Sequence, residues 1–392
     1  MSILMDYSRF FYLCSKGKII EAIKYYLRYP TINIHEKNEC AFLSACKNGH
    51  LDMAKWLFEI SKTNNIGIIN IHEKNERAFL SACKNGHLDV AKWLFEISKN
   101  NDIGIININE KNDRYFLFAC KNGQLDVAKW LFEISKENVK FGLIDVDIHT
   151  NHDCAFINSC SRGHLDVAQW LFELSHNKEI GVINIHENDE EAFQLSCANG
   201  HLEVVKWLWK LSRENKDVGI INIHTKKEKA FRESCHHGHL EVAKWLVELS
   251  QKYDLEKINI HAFSDSAFGW SIAYNYFDIV QWLYLMDRGN FDVNVINEWY
   301  KVIKLNKFLL RIICFDYKNN NLLNNEYKKE YAKWKLRINI RLIGRIINFY
   351  NYVMEKSYSP FPAQEKENEK GKGFLRAKMD FDDKIYDTRN KS

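Results

Sequence analysis

Proline is nearly absent from this sequence. The 392 residues contain only Pro30, Pro360 and Pro362. Because proline is the strongest helix breaker, no such break interrupts the chain between Pro30 and Pro360. Long apolar runs are missing too, since no stretch approaches the roughly 18–20 apolar residues that a membrane span needs. The opening MSILMDYSRFF has no basic start and reaches an acid at Asp6, so no secretory signal is expected.

Motifs that mark common enzyme classes are also missing. The sequence has no G-x-x-x-x-G-K-[ST], no G-x-G-x-x-G after a strand, no G-x-S-x-G and no H-E-x-x-H. His35-Glu36 begins like the last of these but lacks the second histidine. Acids and histidines that repeat from unit to unit belong to the scaffold, whereas a catalytic set would be expected once. We therefore predict no enzymatic activity and no cofactor.

What the chain has in abundance is self-similarity. The string NGHLDMAKWLFEIS at 48–61 returns as NGHLDVAKWLFEIS at 85–98, and four further close copies come after it. A seventh copy, NYFDIVQWLYLM at 275–286, has lost the glycine and histidine. We number the units one to seven by their tryptophans, which are spaced 37 to 40 residues apart: Trp56, Trp93, Trp130, Trp170, Trp207, Trp245 and Trp282. A period of this length predicts a solenoid of stacked helix pairs.

Unit two, residues 69–105, shows the local pattern. INIHEKNE is expected to be a short β-like run that becomes a polar turn. RAFLSACKN is expected to be a first helix, ended by Gly86 in a left-handed C-cap. HLDVAKWLFEIS is expected to be a second helix whose apolar face carries Leu88, Ala91, Leu94 and Phe95. Because such a pair cannot bury its apolar face alone, it must stack against its neighbours.

These motifs resemble ankyrin repeats over roughly residues 30–286. Gly86–His87 matches the family's Gly-His pair, and VAKWL at 90–94 matches its V-V-x-L-L second helix. The resemblance implies an all-α, ankyrin-type helix-pair solenoid with short β-turn fingers, about seven to eight repeats and a C-terminal helical segment. It also implies protein binding. The long, proline-free unit, rich in Asn, Ile and Lys, is similar to the ankyrin families of giant DNA viruses of amoebae.

The units depart from the ankyrin pattern at the start of the first helix. The family's TPLH sequence, which normally caps that helix, is absent. An acid precedes the helix in every unit instead: Glu39, Glu76, Asp113, Asp153, Glu190, Glu228 and Asp265. We expect these acids to cap the helix in place of TPLH, because a carboxylate suits the free N–H groups and the positive end of the helix dipole. A solvated turn is the alternative.

Cysteine and histidine also recur at fixed places. The cysteines precede the turn glycine or its equivalent by three residues: Cys46, Cys83, Cys120, Cys160, Cys197 and Cys235. With the following histidine they form the motif C-x3-H. This motif could indicate a zinc site. Alternatively, the cysteine could pack in the core as a small apolar side chain. One pair supplies two ligands, and units lie about 10 Å apart, so we predict packing, no disulfides and a reducing compartment. Adventitious metal binding stays open at the richest cluster, Cys235-His236-His237-Gly238-His239. Histidines at the turn base are expected to bond turn backbone: His35, His72, His149, His186, His224 and His261.

Positions that vary between units can carry specificity. The exposed slot of the first helix reads Ser44, Ser81, Phe118, Asn158, Leu195, Glu233 and Trp270, and the turn-tip slot changes from Lys or Asn to Phe263. By the ankyrin resemblance these slots line the concave face and the finger tips. A protein partner is therefore expected on repeats three to seven, with candidate contact residues Phe118, Asn158, Leu195, Glu233, Phe263 and Trp270. Phe118 and Trp270 are the candidate anchors. Drift at solvated positions, or packing of Trp270 against residues C-terminal to it, is the alternative.

The sequence changes character after the last unit. Residues 299–360 carry 13 Lys/Arg against 4 Asp/Glu. Residues 326–356 predict one amphipathic helix, which could cap the solenoid, dock a partner, or lie on a membrane or nucleic acid. Capping is favoured because the apolar arc is broad. The expected domains are a degenerate capping repeat at 1–30, ankyrin repeats at 31–286, a degenerate repeat with basic helices at 287–358, and a flexible charged tail at 359–392.

The favoured function is a monomeric binding or scaffold protein without catalysis. Its predicted location is inside a cell, in the host cytoplasm if the viral similarity holds, and neither nucleic acid nor a membrane is expected as a partner. The alternative is a substrate adaptor of a ubiquitin ligase with the C-terminal helices as the recruiting end. This alternative rests only on architecture similar to that of poxvirus ankyrin proteins.

Overall fold

The fold is given by a computed structural model of the chain. The residues that it describes are 2–63, 67–99, 104–108, 110–137, 145–176, 180–216, 218–274 and 276–287. All of them belong to Met1–Ile312, the first of two bodies into which the chain divides. The C-terminal helices and the charged tail expected from the sequence lie outside the described residues.

The regular structure of the described residues consists of sixteen helices in consecutive pairs. They are α1 Ser2–Ser15, α2 Ile19–Arg28, α3 Glu36–Lys47, α4 Leu51–Thr63, α5 Glu73–Asn85, α6 Leu88–Lys99, α7 Glu110–Lys121, α8 Leu125–Glu137, α9 Thr150–Ser161, α10 Leu165–Ser175, α11 Glu187–Ala198, α12 Leu202–Glu214, α13 Thr225–His236, α14 Leu240–Lys252, α15 Ala262–Ala273 and α16 Phe277–Met286. The pair α1–α2 precedes unit one, and α3–α4 to α15–α16 form units one to seven. The expected all-α solenoid of seven to eight helix pairs is confirmed. No described helix has both the length and the apolar character that crossing a bilayer takes.

The first helices of successive units pack side by side. Helix α3 contacts α5, α5 contacts α7, and the series continues through α9, α11 and α13 to α15. First helices also contact the second helix of their own pair, as α5 does α6 and α13 does α14. An inner unit thus buries apolar surface against the units before and after it, as a solenoid of short helix pairs requires.

Each unit brings small and large apolar side chains to the core. In unit two the fully buried apolar residues of α5 and α6 are Ala78, Phe79, Ala82, Cys83, Val90, Ala91, Leu94 and Phe95. Three of the four residues expected on the core face of α6 are therefore buried. The prediction was wrong for Leu88, which is half-buried. Leu88 begins the helix and lies at the edge of the arc defined by Val90, Ala91 and Leu94.

A four-residue segment, I-N-I-H in most units, precedes each first helix. In unit two Ile69 and Ile71 are buried and Asn70 between them is exposed. Asn70 Oδ1 accepts a hydrogen bond from the backbone N–H of His72 at 3.0 Å. The described residues contain no β-strand, so the expected β-like run is an irregular segment. Apolar and polar residues alternate in this segment because the two isoleucines pack against the core, while the asparagine side chain forms a hydrogen bond within the turn.

A left-handed turn of three residues opens the first helix. In unit two Lys74, Asn75 and Glu76 have φ angles of 52°, 56° and 58°. The turn recurs in units one, four, five, six and seven, at residues 37–39, 151–153, 188–190, 226–228 and 263–265. For a residue other than glycine, this left-handed conformation costs about 1–2 kcal/mol of conformational free energy. Contacts with other parts of the protein must therefore stabilise the turn. Its third residue is the recurring acid.

The recurring acids are not helix caps and not solvated, so both expectations were wrong. In unit four Asp153 is 5% exposed. Its Oδ1 lies 2.6 Å from Nδ1 of His149, and its Oδ2 accepts from the backbone N–H of Asn184 in unit five at 3.1 Å. The same contact with the next unit is made by Glu39, Asp113, Glu190 and Glu228. The acid therefore links its own turn to the following unit.

The turn-base histidine makes a second link between units. Besides the contact of its Nδ1 with the acid, Nε2 of His149 lies 3.0 Å from the carbonyl oxygen of Ile180. His72 and His186 make the same contacts with Gly104 and Val218. Because a carbonyl oxygen only accepts hydrogen bonds, Nε2 is the donor in this contact. These three histidines have a structural role, as expected, but the carbonyls that they contact lie in the loop that leads to the next unit and not in their own turn.

A glycine of one unit and a histidine of the next meet at the opposite edge of most boundaries, whereas Gln124 and Tyr276 take the place of the histidine against Gly86 and Gly238. The expected left-handed C-cap at Gly86 is confirmed, with φ 80° and ψ 17°. In unit four Gly163 has φ 79°, and the ring of His201 from unit five lies directly against it. Nε2 of the equivalent His87 lies 3.0 Å from the carbonyl oxygen of Lys47 in unit one. Glycine is needed twice here, for its positive φ and for the space that the ring occupies.

We expect Gly163→Ala to destabilise the protein by about 2 kcal/mol more than Gly67→Ala. Both glycines have positive φ, so alanine is strained at either position. A Cβ at Gly163 would lie 2.5 Å from Nδ1 of His201, whereas nothing lies within 4 Å of one at Gly67. The extra loss comes from displacing the ring, a form of overpacking. Urea unfolding of both variants tests this, and equal losses would contradict it.

The boundary between units two and three departs from this scheme. Gln124 replaces the histidine, and its Nε2 donates to the carbonyl oxygen of Asn122 within unit three at 2.9 Å. At the turn edge, Tyr115 takes the position of Ala78, and its hydroxyl donates to Oε2 of Glu76 at 2.5 Å. Burial, followed by this bond to Glu76, raises the pKa of Tyr115. This boundary therefore lacks the histidine that contacts the glycine at most other boundaries, and it has an additional hydrogen bond on the side of the left-handed turns.

The tryptophans that mark the period connect neighbouring units. The ring of Trp170 lies with its centroid 6.2 Å from Phe116 and 6.2 Å from Phe132, both in the preceding unit. It meets Phe132 edge to face at 85°, a favourable geometry for aromatic pairs. Trp93, Trp130 and Trp207 sit between two phenylalanines of the preceding unit in the same way.

Candidate interaction surface

The variable slot of the first helices forms a row, because these helices lie side by side. It carries five of the six candidate residues, on α7, α9, α11, α13 and α15: Phe118, Asn158, Leu195, Glu233 and Trp270. Trp270 is 37% exposed, and the other four are half-buried. The sixth candidate, Phe263, lies at a turn tip and is 63% exposed. All six candidates therefore reach solvent at least in part.

The row begins in units three and four with small, separate contacts. Lys84 of unit two places its Nζ 5.7 Å from the ring centroid of Phe118, within cation–π range. Asn158 Nδ2 lies 2.9 Å from Sγ of Cys154, one turn earlier on the same helix. Phe118 is thus half-buried beside a lysine, and its role as an anchor stays a prediction.

The junction of units six and seven brings several of these side chains together. The ring of Trp270 stacks on that of His236, with centroids 4.7 Å apart and 23° between the planes. Tyr274 is 51% exposed, and its ring centroid lies 5.1 Å from His236 and 5.9 Å from Trp270. Glu233 Oε2 lies 3.5 Å from Nδ1 of His236. Glu233 and Trp270 therefore meet through His236, which lies between them.

Phe263 is held at its turn tip by two cations of unit six. The guanidinium carbon of Arg232 lies 4.8 Å from the ring centroid, and Nζ of Lys227 lies 6.0 Å from it. Arg232 also donates to the backbone carbonyls of Lys226 and Lys227 at 3.1 and 2.7 Å. These bonds position the guanidinium, while most of the phenylalanine ring stays open to solvent.

Sequence reasoning missed His236, Tyr274 and Arg232 as members of this surface. A comparison of units at equivalent positions contains part of the signal. Tyr274 replaces the asparagine of units one, two, three and five, and His236 replaces the lysine of units one to three. The position of Arg232 next to a ring from the following unit could not be read from the sequence, because it depends on how far the turn tip extends.

The repeated cysteines belong to the core, as predicted. The six are fully buried, and burial raises the pKa of each thiol: Cys46, Cys83, Cys120, Cys160, Cys197 and Cys235. All nine cysteines in the described part of the chain are free thiols. The C-x3-H partners diverge, because Cys160 points into the core while the ring of His164 lies against Gly123 of unit three. Burial also lowers the pKa of His164 and His201.

The stacked pairs, the Gly-His contacts and the phased tryptophans agree with the match to known families. The family model described as ankyrin repeats, in three copies, matches residues 10–112, 116–222 and 195–297. The chain belongs to the ankyrin-repeat family. No curated protein sequence matches it. The matched ranges of the ankyrin array include all six candidate contact residues. Ankyrin repeats typically mediate protein–protein interactions and are generally not catalytic.

Proposed function

We propose that this ankyrin array binds a protein partner along the first-helix row and turn tips of units three to seven, without catalysis of its own. The observation that carries the proposal is the exposure of three aromatic side chains in unit seven. Phe263, Trp270 and Tyr274 are 63%, 37% and 51% exposed. Large aromatic side chains are enriched among the residues that dominate binding energy at interfaces.

The charge around these rings gives the expected partner a chemical character. Arg232 and Lys227 contact the ring of Phe263, and Lys226 lies at the equivalent tip of unit six. Lys226 Nζ is 3.3 Å from Oδ2 of Asp189, so its charge is partly balanced. A partner segment with an apolar anchor next to an acidic residue would complement this end of the surface.

The array offers a matched test of this surface. Phe263→Lys, Trp270→Ser and Tyr274→Asn together install the residues that unit one carries at the equivalent positions, Lys37, Ser44 and Asn48. The triple variant should fold, because unit one accepts these residues in the same helix pair. We expect it to lose the partners that the full chain captures from extracts of the native host, as identified by mass spectrometry.

The control removes exposed apolar residues from another place. Val182 and Ile220 are 59% and 65% exposed in the loops before units five and six. Val182→Ser with Ile220→Ser should leave partner capture intact. Unchanged capture by the unit-seven variant, with a normal thermal melt, would refute the proposed surface.

Three narrower proposals concern the cellular compartment, the origin of the protein and the role of its C-terminal part. The free, buried thiols support a reducing compartment, since such cysteines persist where disulfides are rare. The long, proline-free, Asn-, Ile- and Lys-rich unit is what supports an origin among giant-virus ankyrin proteins acting in host cytoplasm. The ubiquitin-ligase adaptor alternative concerns residues 287–358, beyond the single described residue Asp287. Truncation after residue 290 tests it, because only ligase subunits should then be lost from the captured set.

A further inference from the structure

We infer that the end of α13 binds a divalent transition metal ion of the zinc class through Glu233, His236 and His237. Within the described residues, this is the one group of three or more such side chains close enough to share an ion. One ligand atom of each lies within 4.8 Å of the others. The inference goes beyond partner binding and does not depend on it.

The distances fit a metal better than they fit direct ion pairs. Nδ1 of His236 and Nδ1 of His237 lie 3.5 and 3.8 Å from Oε2 of Glu233. Zinc bonds to nitrogen and oxygen are about 2.0–2.2 Å long, so two ligands of a tetrahedral ion lie about 3.4 Å apart. The two carboxylate–imidazole distances are within tenths of an ångström of that value, and all three ligand atoms lie within 4.8 Å of one another. Rotation of the exposed His237 ring would bring the third ligand to the same ion.

The histidines are not explained by the fold. Units one and two carry Ser, Lys and Asn at the three positions, and unit six is the only unit with three potential ligands there. His237 Nδ1 lies 3.0 Å from the carbonyl oxygen of Glu233. In unit one, Asn48 makes this bond with Ser44 at 2.9 Å. Asparagine can therefore make the same bond at the helix end. The two histidines can in addition bind a metal ion, which the Lys-Asn pair of unit one cannot do in this way.

The surroundings and exposure of the rings also suit a ligand role. His236 is half-buried, and the stacked ring of Trp270 fixes its orientation. His237 is 46% exposed, so water can replace the bond to the backbone carbonyl when the ring turns to an ion. Three protein ligands leave a fourth position open, as in catalytic rather than structural zinc sites. Trp270 stacks on His236 and therefore lies next to the proposed site.

The test compares metal binding by the full chain, freed of any histidine tag, with that of two variants. Glu233→Ser, His236→Lys and His237→Asn together give the residues of unit one. His152→Asn with His176→Asn removes two histidines outside the cluster, and is the control. Calorimetric titration with Zn²⁺, and Co²⁺ absorption as a second readout, follow binding. We expect one ion per wild-type or control chain and at least about tenfold weaker binding by the triple variant.

A thermal melt in EDTA establishes that the triple variant folds, since it should match the wild type without metal. Glu233→Gln alone should weaken Zn²⁺ binding while keeping the helix pair intact. Equal affinity of the triple variant and the wild type would overturn the inference. So would a loss of the ion in the control, because the binding histidines would then lie elsewhere.

Discussion

Replacing Asp153 with alanine is expected to lower the free energy of unfolding by about 3 kcal/mol. A buried hydrogen-bonding group that is left without its partner typically costs about 1–3 kcal/mol. Here two groups lose their acceptor at once, the ring of His149 and the backbone N–H of Asn184. Urea unfolding followed by circular dichroism measures the loss.

Two further variants isolate the cause. Asp166 is an exposed acid at the start of α10 in the same unit, and Asp166→Ala should cost less than about 1 kcal/mol. Asp153→Asn keeps the size of the side chain and its tolerance of positive φ, and its amide oxygen can still accept one bond. We expect an intermediate loss. A loss for Asp153→Ala no larger than that for Asp166→Ala would show that the link between units four and five contributes little.

Trp170→Ala is expected to cost about 3–4 kcal/mol and to reduce the cooperativity of unfolding. The substitution removes two aromatic contacts across the boundary between units three and four. Because Trp170 is half-buried, the loss should lie at the lower end of the about 3–5 kcal/mol that truncation of a buried large aromatic costs. In a repeat array, stability is close to a sum of unit and boundary contributions. A weakened central boundary should therefore let the two halves unfold separately.

The control for this variant is Glu173→Ala, an exposed position on the same helix. We expect its loss to stay within about 0.5 kcal/mol. Trp170→Phe, which retains a ring, should fall between the two. A single sharp transition for Trp170→Ala, at the midpoint of the wild type, would contradict the role assigned to this ring.

The fold was predictable because its signal is repeated. The tryptophan period defines the unit, and the apolar spacing of HLDVAKWLFEIS predicts the second helix, apart from the shift from Leu88 to Val90. The acids were misread for a physical reason. A helix cap is a local interaction, and the pairing of the acid with the histidine four residues before it was not predicted. The true partner of Asp153 includes a backbone N–H 31 residues away, in the next unit, and no local pattern contains it.

The candidate surface was predictable in outline and not in composition. Variation among units identified Glu233, Phe263 and Trp270 as unusual, because variation can be read position by position. The sequence did not show that Trp270 would stack on His236 of the previous helix. Such contacts depend on the lateral offset between successive first helices, which is a property of the stack and not of any one unit.

The altered boundary between units two and three has a consequence for how the array bends. Between units one and two, and at the three boundaries from unit three to unit six, a histidine contacts the glycine and an acid contacts the turn of the next unit. Between units two and three the imidazole is gone, while the bond of Tyr115 to Glu76 is added at the turn edge. A junction secured chiefly along one side acts as a hinge. Changes in the curvature of the array, such as those needed to fit partners of different diameter, should therefore concentrate between α5 and α7 and leave units three to six rigid.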